Sequence, residues 1–283
     1  MTGAVRLTGG LLNHVFRVSG ADGRSVVLKH APPHVAAAPQ IALDPRRAAV
    51  EALALAAVGP PVAPRLLAHE GATLVLEDLG PLPHLGDWLA GGGDPAVLDG
   101  LGRWLRRLHE SPVPAIDNRV VQQTRLAVQY EAVEGWLAAA GVPEAAVLGG
   151  RAVALGRRWL ERGPAFVMGD LWPPSVLVAA PSRVHLIDWE LAVAGWPAQD
   201  LGHLVAHLAL GAACDGLDPG LGERFLAAYG PLWERSGDEL WVHAGAELLA
   251  RSLGPFARPG LTERERQGII ENAVLWLSPG AGR

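Results

Sequence analysis

The hydrophobic period of this chain changes near Pro81 and reverts once, for a few residues, between Asp170 and Asp188. Before Pro81 the apolar residues fall in short runs bounded by turn residues, the pattern of strands. The β-branched runs 15–19 and 25–30 are joined by Gly20, Ala21, Asp22 and Gly23, a hairpin signal. Asp44 offers an N-cap and Pro45 a first helical position for a helix through Glu51 to about Ala57, stopped by Gly59, Pro60 and Pro61. Runs 65–69 and 73–77 flank Glu70, Gly71 and Ala72 as a second hairpin. The order is three strands, a helix and two strands.

Beyond Pro81 the spacing is helical. Windows 94–111, 121–140, 144–162, 198–213, 220–229, 236–253 and 262–277 carry apolar residues three and four apart. The exception is a pair of strand-like runs, 175–179 and 183–187, around Ala180, Pro181 and Ser182. All ten Trp lie at or beyond residue 88, so the larger core is expected there. The chain is expected to be α+β and two-lobed, with a small antiparallel β lobe (1–78) and a larger, mainly helical lobe (79–283).

With 283 residues, 49% of them hydrophobic, the chain can bury a sizeable core. A net charge of −5 argues against a nucleic-acid binder that relies on an overall basic field. The single cysteine, Cys214, excludes an intramolecular disulfide and a cysteine zinc cluster. No secretory leader is evident and no apolar run reaches the roughly 20 residues of a membrane span, so a cytoplasmic protein without membrane contact is expected. Of the 24 basic residues only Lys29 is a lysine.

Four features could carry chemistry. Gly9 and Gly10, before Leu11, Leu12 and Asn13, stand between two strand-like runs, where glycine lets backbone approach a phosphate; an ordinary turn gives the same signal. Lys29 closes an apolar strand and must be paired or reach water, and Glu51 on the following helix is its candidate partner. Asp170 and Asp188 flank the late hairpin, which can bring both carboxylates to one cleft mouth. One could orient a hydroxyl nucleophile and the other hold Mg²⁺, which suits phosphoryl transfer; ordinary turn aspartates are the plainer alternative.

Together these features resemble the aminoglycoside phosphotransferase and choline kinase family, with a protein-kinase-like fold and partial likeness to methylthioribose kinases. The matching residues are Met168-Gly169-Asp170, Ser175, Ile187-Asp188-Trp189-Glu190 and Asp200-Leu201. Met168 stands where the family has His, and Ser175 where it has Asn. The resemblance implies an ATP- and Mg²⁺-dependent transfer to a hydroxyl of a small molecule that is aminoglycoside-, amino alcohol- or sugar-like. It implies Asp170 as the catalytic residue, Asp188 and Ser175 as metal ligands, and Lys29 on the phosphates with Glu51 as its partner. Gly9, Gly10 and Asn13 would cover the phosphates, residues 76–79 would face adenine, and Asp200 would brace the catalytic loop. A nucleotide-binding pseudokinase serving as a scaffold or sensor is the alternative, and a protein that binds no nucleotide a third.

Two further patterns have plain explanations. His203 and His207 have metal-ligand spacing but no evident third ligand, so they are expected to be packed histidines. The pairs Arg46-Arg47, Arg106-Arg107 and Arg157-Arg158 are expected on solvated helix faces. His109 is expected to be packed rather than catalytic. The sequence leaves the oligomeric state open.

Overall fold

The alternating runs of the first part pair into one antiparallel sheet. The computed structural model describes residues 3–7 and 10–280, with the backbone alone for Leu232 and Arg235. Strands β1 (Gly3–Leu7), β2 (His14–Ser19) and β3 (Ser25–His30) form a meander, followed by the short pair β4 (His34–Val35) and β5 (Ala38–Ala42). Helix α1 (Arg47–Val58) leads to the hairpin of β6 (Leu66–Glu70) and β7 (Thr73–Glu77). The order β1-β2-β3-β7-β6 places β3 in the middle, with Lys29 opposite Val15 on one side and Leu74 on the other. An edge lysine open to water is thereby excluded, and Lys29 is only 4% exposed.

Helix α1 begins two residues later than its capping signals suggest. The Asp44 carboxylate accepts the Arg46 N–H (2.8 Å) in a local turn, and the helix starts at Arg47. The pair β4–β5 was not foreseen, because its Ala- and Pro-rich sequence carries no alternation. Its connecting turn is tied to the first loop by the Ala37 N–H on the Leu11 carbonyl (2.9 Å).

The rest of the chain is mainly helical. It comprises α2 (Leu85–Ala90), α3 (Ala96–Glu110), α4 (Arg119–Arg125), α5 (Val133–Ala139) and α6 (Ala145–Arg158), then α7 (Ala198–Cys214), α8 (Leu221–Tyr229), α9 (Asp238–Ser252) and α10 (Glu263–Leu277). Between α6 and α7 lie β8 (Ala165–Val167), β9 (Val176–Ala180), β10 (Arg183–Leu186) and β11 (Val193–Gly195). β9 and β10 form the late hairpin, and β8 pairs with β11 behind it. The helical window 121–140 is not continuous. One wide π turn, Leu126–Tyr130, separates α4 from α5 and turns Gln129 and Tyr130 inward.

Amphipathic periodicity explains the packing. On α3, Val97, Leu98, Leu101 and Leu105 are fully buried on one face, each contributing about 1.5–3 kcal/mol by leaving water. One apolar cluster runs from α1 and β7 through α3, α7 and α9 to α10, so the sheet and the helices share a core. Within it Trp189 is fully buried against Phe166 and edge-on to Trp104. That packing anchors the segment carrying Asp188 and Glu190.

Candidate active site

A cavity of about 1140 Å³ opens between the sheet and the helices. Its walls include Gly10, Lys29, Glu51, Asp170 and Asp188, all singled out in the sequence. Gly9 lies outside the described residues. Gly10 is exposed at the cavity edge, and residues 76–79 line the same opening.

Lys29 is the hub of a buried ionic cluster. Its Nζ donates to Glu51 Oε1 at 2.8 Å, Asp188 Oδ1 at 2.7 Å and Glu190 Oε2 at 2.6 Å. Burial alone would lower the Lys29 pKa, but Asp188, Glu190 and Glu51 outweigh it and hold the ammonium well above its usual value. Burial pushes Glu51 up to about 8, so this carboxyl resists carrying a full negative charge at neutral pH. One oxygen of each of the three carboxylates lies within 4.8 Å of the others, gathered round the Lys29 ammonium. Asp188 is the one of the three open to the cavity, at 31% exposed, and a carboxylate oxygen there suits a hard divalent cation such as Mg²⁺.

Glu190 is the member that sequence reasoning passed over. Strand β10 ends at Leu186, and the segment beyond it turns at Asp188, so that Asp188 and Glu190 both reach Lys29 while Trp189 is buried in the core. Sequence periodicity carries no signal for such a turn. Asp188 adopts φ +66°, an uncommon conformation for a non-glycine residue, held here by the buried Trp189 and the Lys29 contact.

Asn13 also lines the cavity, with its side-chain amide engaged by neighbouring residues. It is 7% exposed; its Nδ2 donates to Glu190 Oε1 and its Oδ1 accepts from Arg47 Nη2 at 3.1 Å. Arg47 corrects another expectation. It is 1% exposed rather than solvated, and also donates to the Pro32 and Leu12 carbonyls. Arg47, Asn13 and Glu190 therefore tie the first loop to the lysine cluster.

Asp170 sits across the cavity on the loop after β8. Gly169 precedes it at φ +81°, where an added Cβ would collide with the Leu191 carbonyl. Asp200 braces this turn: it is fully buried and its carboxylate accepts the Met168 N–H (2.8 Å) and the Gly169 N–H (2.7 Å). His109 Nε2 contacts Asp200 at 3.1 Å and His109 Nδ1 meets the Tyr229 hydroxyl at 3.0 Å, so His109 is a packed, bonded residue. Met168 is fully buried behind the loop. Asp170 Oδ1 accepts from Arg125 Nη2 at 2.9 Å, and Arg125 also holds the Gly169 carbonyl through Nη1. Burial nevertheless pushes Asp170 up to about 6. Arg125 was missed because it stands in an ordinary amphipathic window with no local signal.

Ser175, expected to ligate a metal, has its hydroxyl hydrogen-bonded to backbone groups. It is fully buried; its Oγ donates to the Trp172 carbonyl (2.8 Å) and accepts the Trp172 N–H (3.1 Å), closing a short turn. A hydroxyl committed to backbone on both counts is a fastener of the loop.

The histidine pair is packed, as expected, but it has a carboxylate partner. Glu247 on α9 meets His207 Nε2 at 3.1 Å, Arg251 Nε at 2.7 Å and Gln129 Nε2 at 2.8 Å. Glu247 lies 40 residues beyond His207, so only the contact of α7 with α9 reveals it.

The profile of the phosphotransferase enzyme family matches residues 3–238. A "4-hydroxytryptamine kinase" of Psilocybe cyanescens is 25% identical over 316 residues, covering 97% of this chain and 80% of that protein. The crystal structure of a choline/ethanolamine kinase family protein from Mesorhizobium loti superposes with a TM-score of 0.59 at 18% identity, covering 99% of this chain and 89% of that one. A spectinomycin phosphotransferase in complex with ADP and spectinomycin gives 0.56 at 13% identity, over 97% and 92%. These structures share the two-part arrangement of an antiparallel sheet and a helical region, the protein-kinase-like fold of small-molecule kinases. No helix among the described residues is long and apolar enough to cross a membrane.

Proposed function

Because the chain belongs to the phosphotransferase enzyme family, whose members act on hydroxyl groups of small molecules, we propose that it transfers the γ-phosphoryl group of ATP to a small-molecule alcohol with Asp170 as the base. The observation that carries this reading is the shared cavity. Lys29 with its three carboxylates lines one side of it, and Asp170 lines the other. Residues 1–78 would hold the nucleotide and residues 79–283 the catalytic loop and the acceptor.

Phosphoryl transfer needs positioning and charge neutralisation more than covalent help. Lys29 supplies a compact point charge for the phosphates, held in place by Glu51 and Glu190. Asp188, the one carboxylate of the cluster open to the cavity (31% exposed), would hold Mg²⁺, which when bound neutralises phosphate charge. Asp170 orients the acceptor hydroxyl. As the new O–P bond forms and the bond from the γ-phosphorus to the leaving ADP oxygen breaks, Asp170 takes the hydroxyl proton. Its pKa near 6 leaves it ionised at neutral pH, yet basic enough to accept a proton late in the step.

On the helical side the cavity wall carries Trp172, Val128, Leu210, Leu217 and Phe256. The Arg251 guanidinium stacks 4.9 Å from the Trp172 ring, and Arg258 is paired with Asp215. A wall of this kind favours an acceptor with an aromatic or aliphatic body and one reactive hydroxyl. The test is incubation with Mg-ATP and a panel of phenolic amines, amino alcohols, sugars and aminoglycosides, followed by phosphorus NMR. A stoichiometric phosphomonoester supports the reading. ATP binding with no product from any class favours the scaffold alternative, and no nucleotide binding at all rejects both.

A further inference from the structure

Behind Asp170, on the side away from the cavity, three buried polar side chains form a line. The Tyr130 hydroxyl lies 2.9 Å from His243 Nδ1, His243 Nε2 lies 3.3 Å from His203 Nδ1, and His203 Nε2 lies 3.2 Å from Asp170 Oδ1. Exposures are 2%, 0% and 1% for Tyr130, His243 and His203. The line crosses three elements: the π turn supplies Tyr130, α9 supplies His243 and α7 supplies His203. An unbroken α-helix through Leu126–Tyr130 would rotate Tyr130 off this line.

A neutral imidazole has one N–H and one lone pair, so a chain of two has a direction. If His203 carried its proton on Nδ1, its Nε2 lone pair would face the Asp170 carboxylate, acceptor against acceptor. The opposite arrangement sets a donor against an acceptor at every contact. The phenol donates to His243 Nδ1, His243 Nε2–H donates to His203 Nδ1, and His203 Nε2–H points at Asp170 Oδ1. Burial supports the neutral forms: it lowers His243 to about 3 and His203 well below its usual value. His203 Nε2 faces two carboxylates, Asp170 Oδ1 at 3.2 Å and Glu247 Oε1 at 3.7 Å, and has no well-aligned hydrogen bond to either; the nearer one is Asp170.

We propose that Tyr130, His243 and His203 are positioning residues for Asp170, a one-way donor chain that ends on Oδ1 and leaves Oδ2 for the acceptor hydroxyl. Arg125 donates to the same Oδ1, so both donors fix one carboxylate oxygen and no described side chain holds the other. The proposal rests on Asp170 being the base. A competing use of these groups is a transition-metal site, since donors of His203, His207 and Glu247 lie within 4.8 Å of one another. Glu247 already accepts from Gln129, His207 and Arg251, and Arg125 adds a second guanidinium nearby. Those donors and cations disfavour an added metal ion.

The test combines a readout on the wild-type protein with two variants. Nitrogen-15 NMR of the imidazoles should show both His203 and His243 as Nε2–H tautomers. An Nδ1–H tautomer or an imidazolium at His203 at neutral pH overturns the chain, whatever Asp170 does in turnover. His203→Leu should lower kcat about 10- to 100-fold with the KM for ATP unchanged, because the base is misplaced and binding is not. His203→Gln, whose amide N–H can stand in for Nε2–H, should recover most of that loss. Unchanged kcat in His203→Leu, or equal losses of kcat and Tm in both variants, contradicts the proposal. So does one equivalent of zinc in the purified protein that His203→Leu abolishes. Should neither variant fold, the wild-type tautomers decide.

Discussion

Lys29 and Glu190 are 161 residues apart in sequence, yet Nζ and Oε2 are separated by 2.6 Å and both side chains are buried. The ammonium that marks this chain is held between the sheet and the catalytic segment, and Glu51 is one of its three partners.

The Lys29 ammonium spends its three donors on three carboxylates that converge on one point, a geometry a planar guanidinium fork does not reproduce. Lys29→Arg should therefore bind Mg-ATP at least tenfold more weakly and turn over more slowly, as measured by calorimetry and steady-state kinetics. Lys29→Met removes the charge, leaves the carboxylates unpaired and should destabilise the fold by about 3–5 kcal/mol, read from urea unfolding.

Asn13 fastens the first loop to Glu190 and Arg47. Asn13→Ala should strand both buried partners, cost about 1–3 kcal/mol and raise the KM for ATP severalfold. The KM for the acceptor should hardly move, and comparing the two KM values checks the assignment.

Asp200 satisfies two backbone N–H groups of the catalytic turn. Asp200→Ala should lower stability by about 2–5 kcal/mol and kcat with it, because two buried donors lose their acceptor. Thermal unfolding and kinetics together test this.

The pH profile follows from Asp170. Its folded-state pKa is raised to about 6, and the base must be ionised. Turnover should fall tenfold per unit as pH drops below about 6 and be level from there to mild alkali. The same shift has a stability sign. An acid raised on folding is tolerated fully only while protonated, so stability is lost as pH climbs from the ordinary aspartate range through about 6. At neutral pH the ionised Asp170 therefore costs stability, by about 2–3 kcal/mol.

Much of this was legible in the chain. Period and turn chemistry located four of the five sheet strands, implied a fifth at the start, and located most of the helices, because those signals are local. Asp170, Asp188, Lys29 and Glu51 stood out through residue type and order. Arg47 did not, because its neighbours Asp44 and Arg46 are polar and nothing local marks it as buried. Arg125, His243 and Glu247 were hidden because their partners come from other helices. The π turn at Leu126–Tyr130 was invisible, since its apolar spacing matches an ordinary helix to within one residue. The metal role expected for Ser175 came from the family resemblance, which says nothing of the backbone contacts its hydroxyl makes.

The most direct measurement is made on Asp170→Asn, with ATP affinity, turnover and Tm taken on one preparation. The amide keeps the acceptor for Arg125 but cannot take a proton. Turnover on an acceptor used by the wild type should disappear, ATP affinity should stay within about twofold, and Tm should rise because a buried ionised group is gone. Wild-type turnover in Asp170→Asn, or loss of ATP binding in parallel with turnover, would contradict Asp170 as the base of this site.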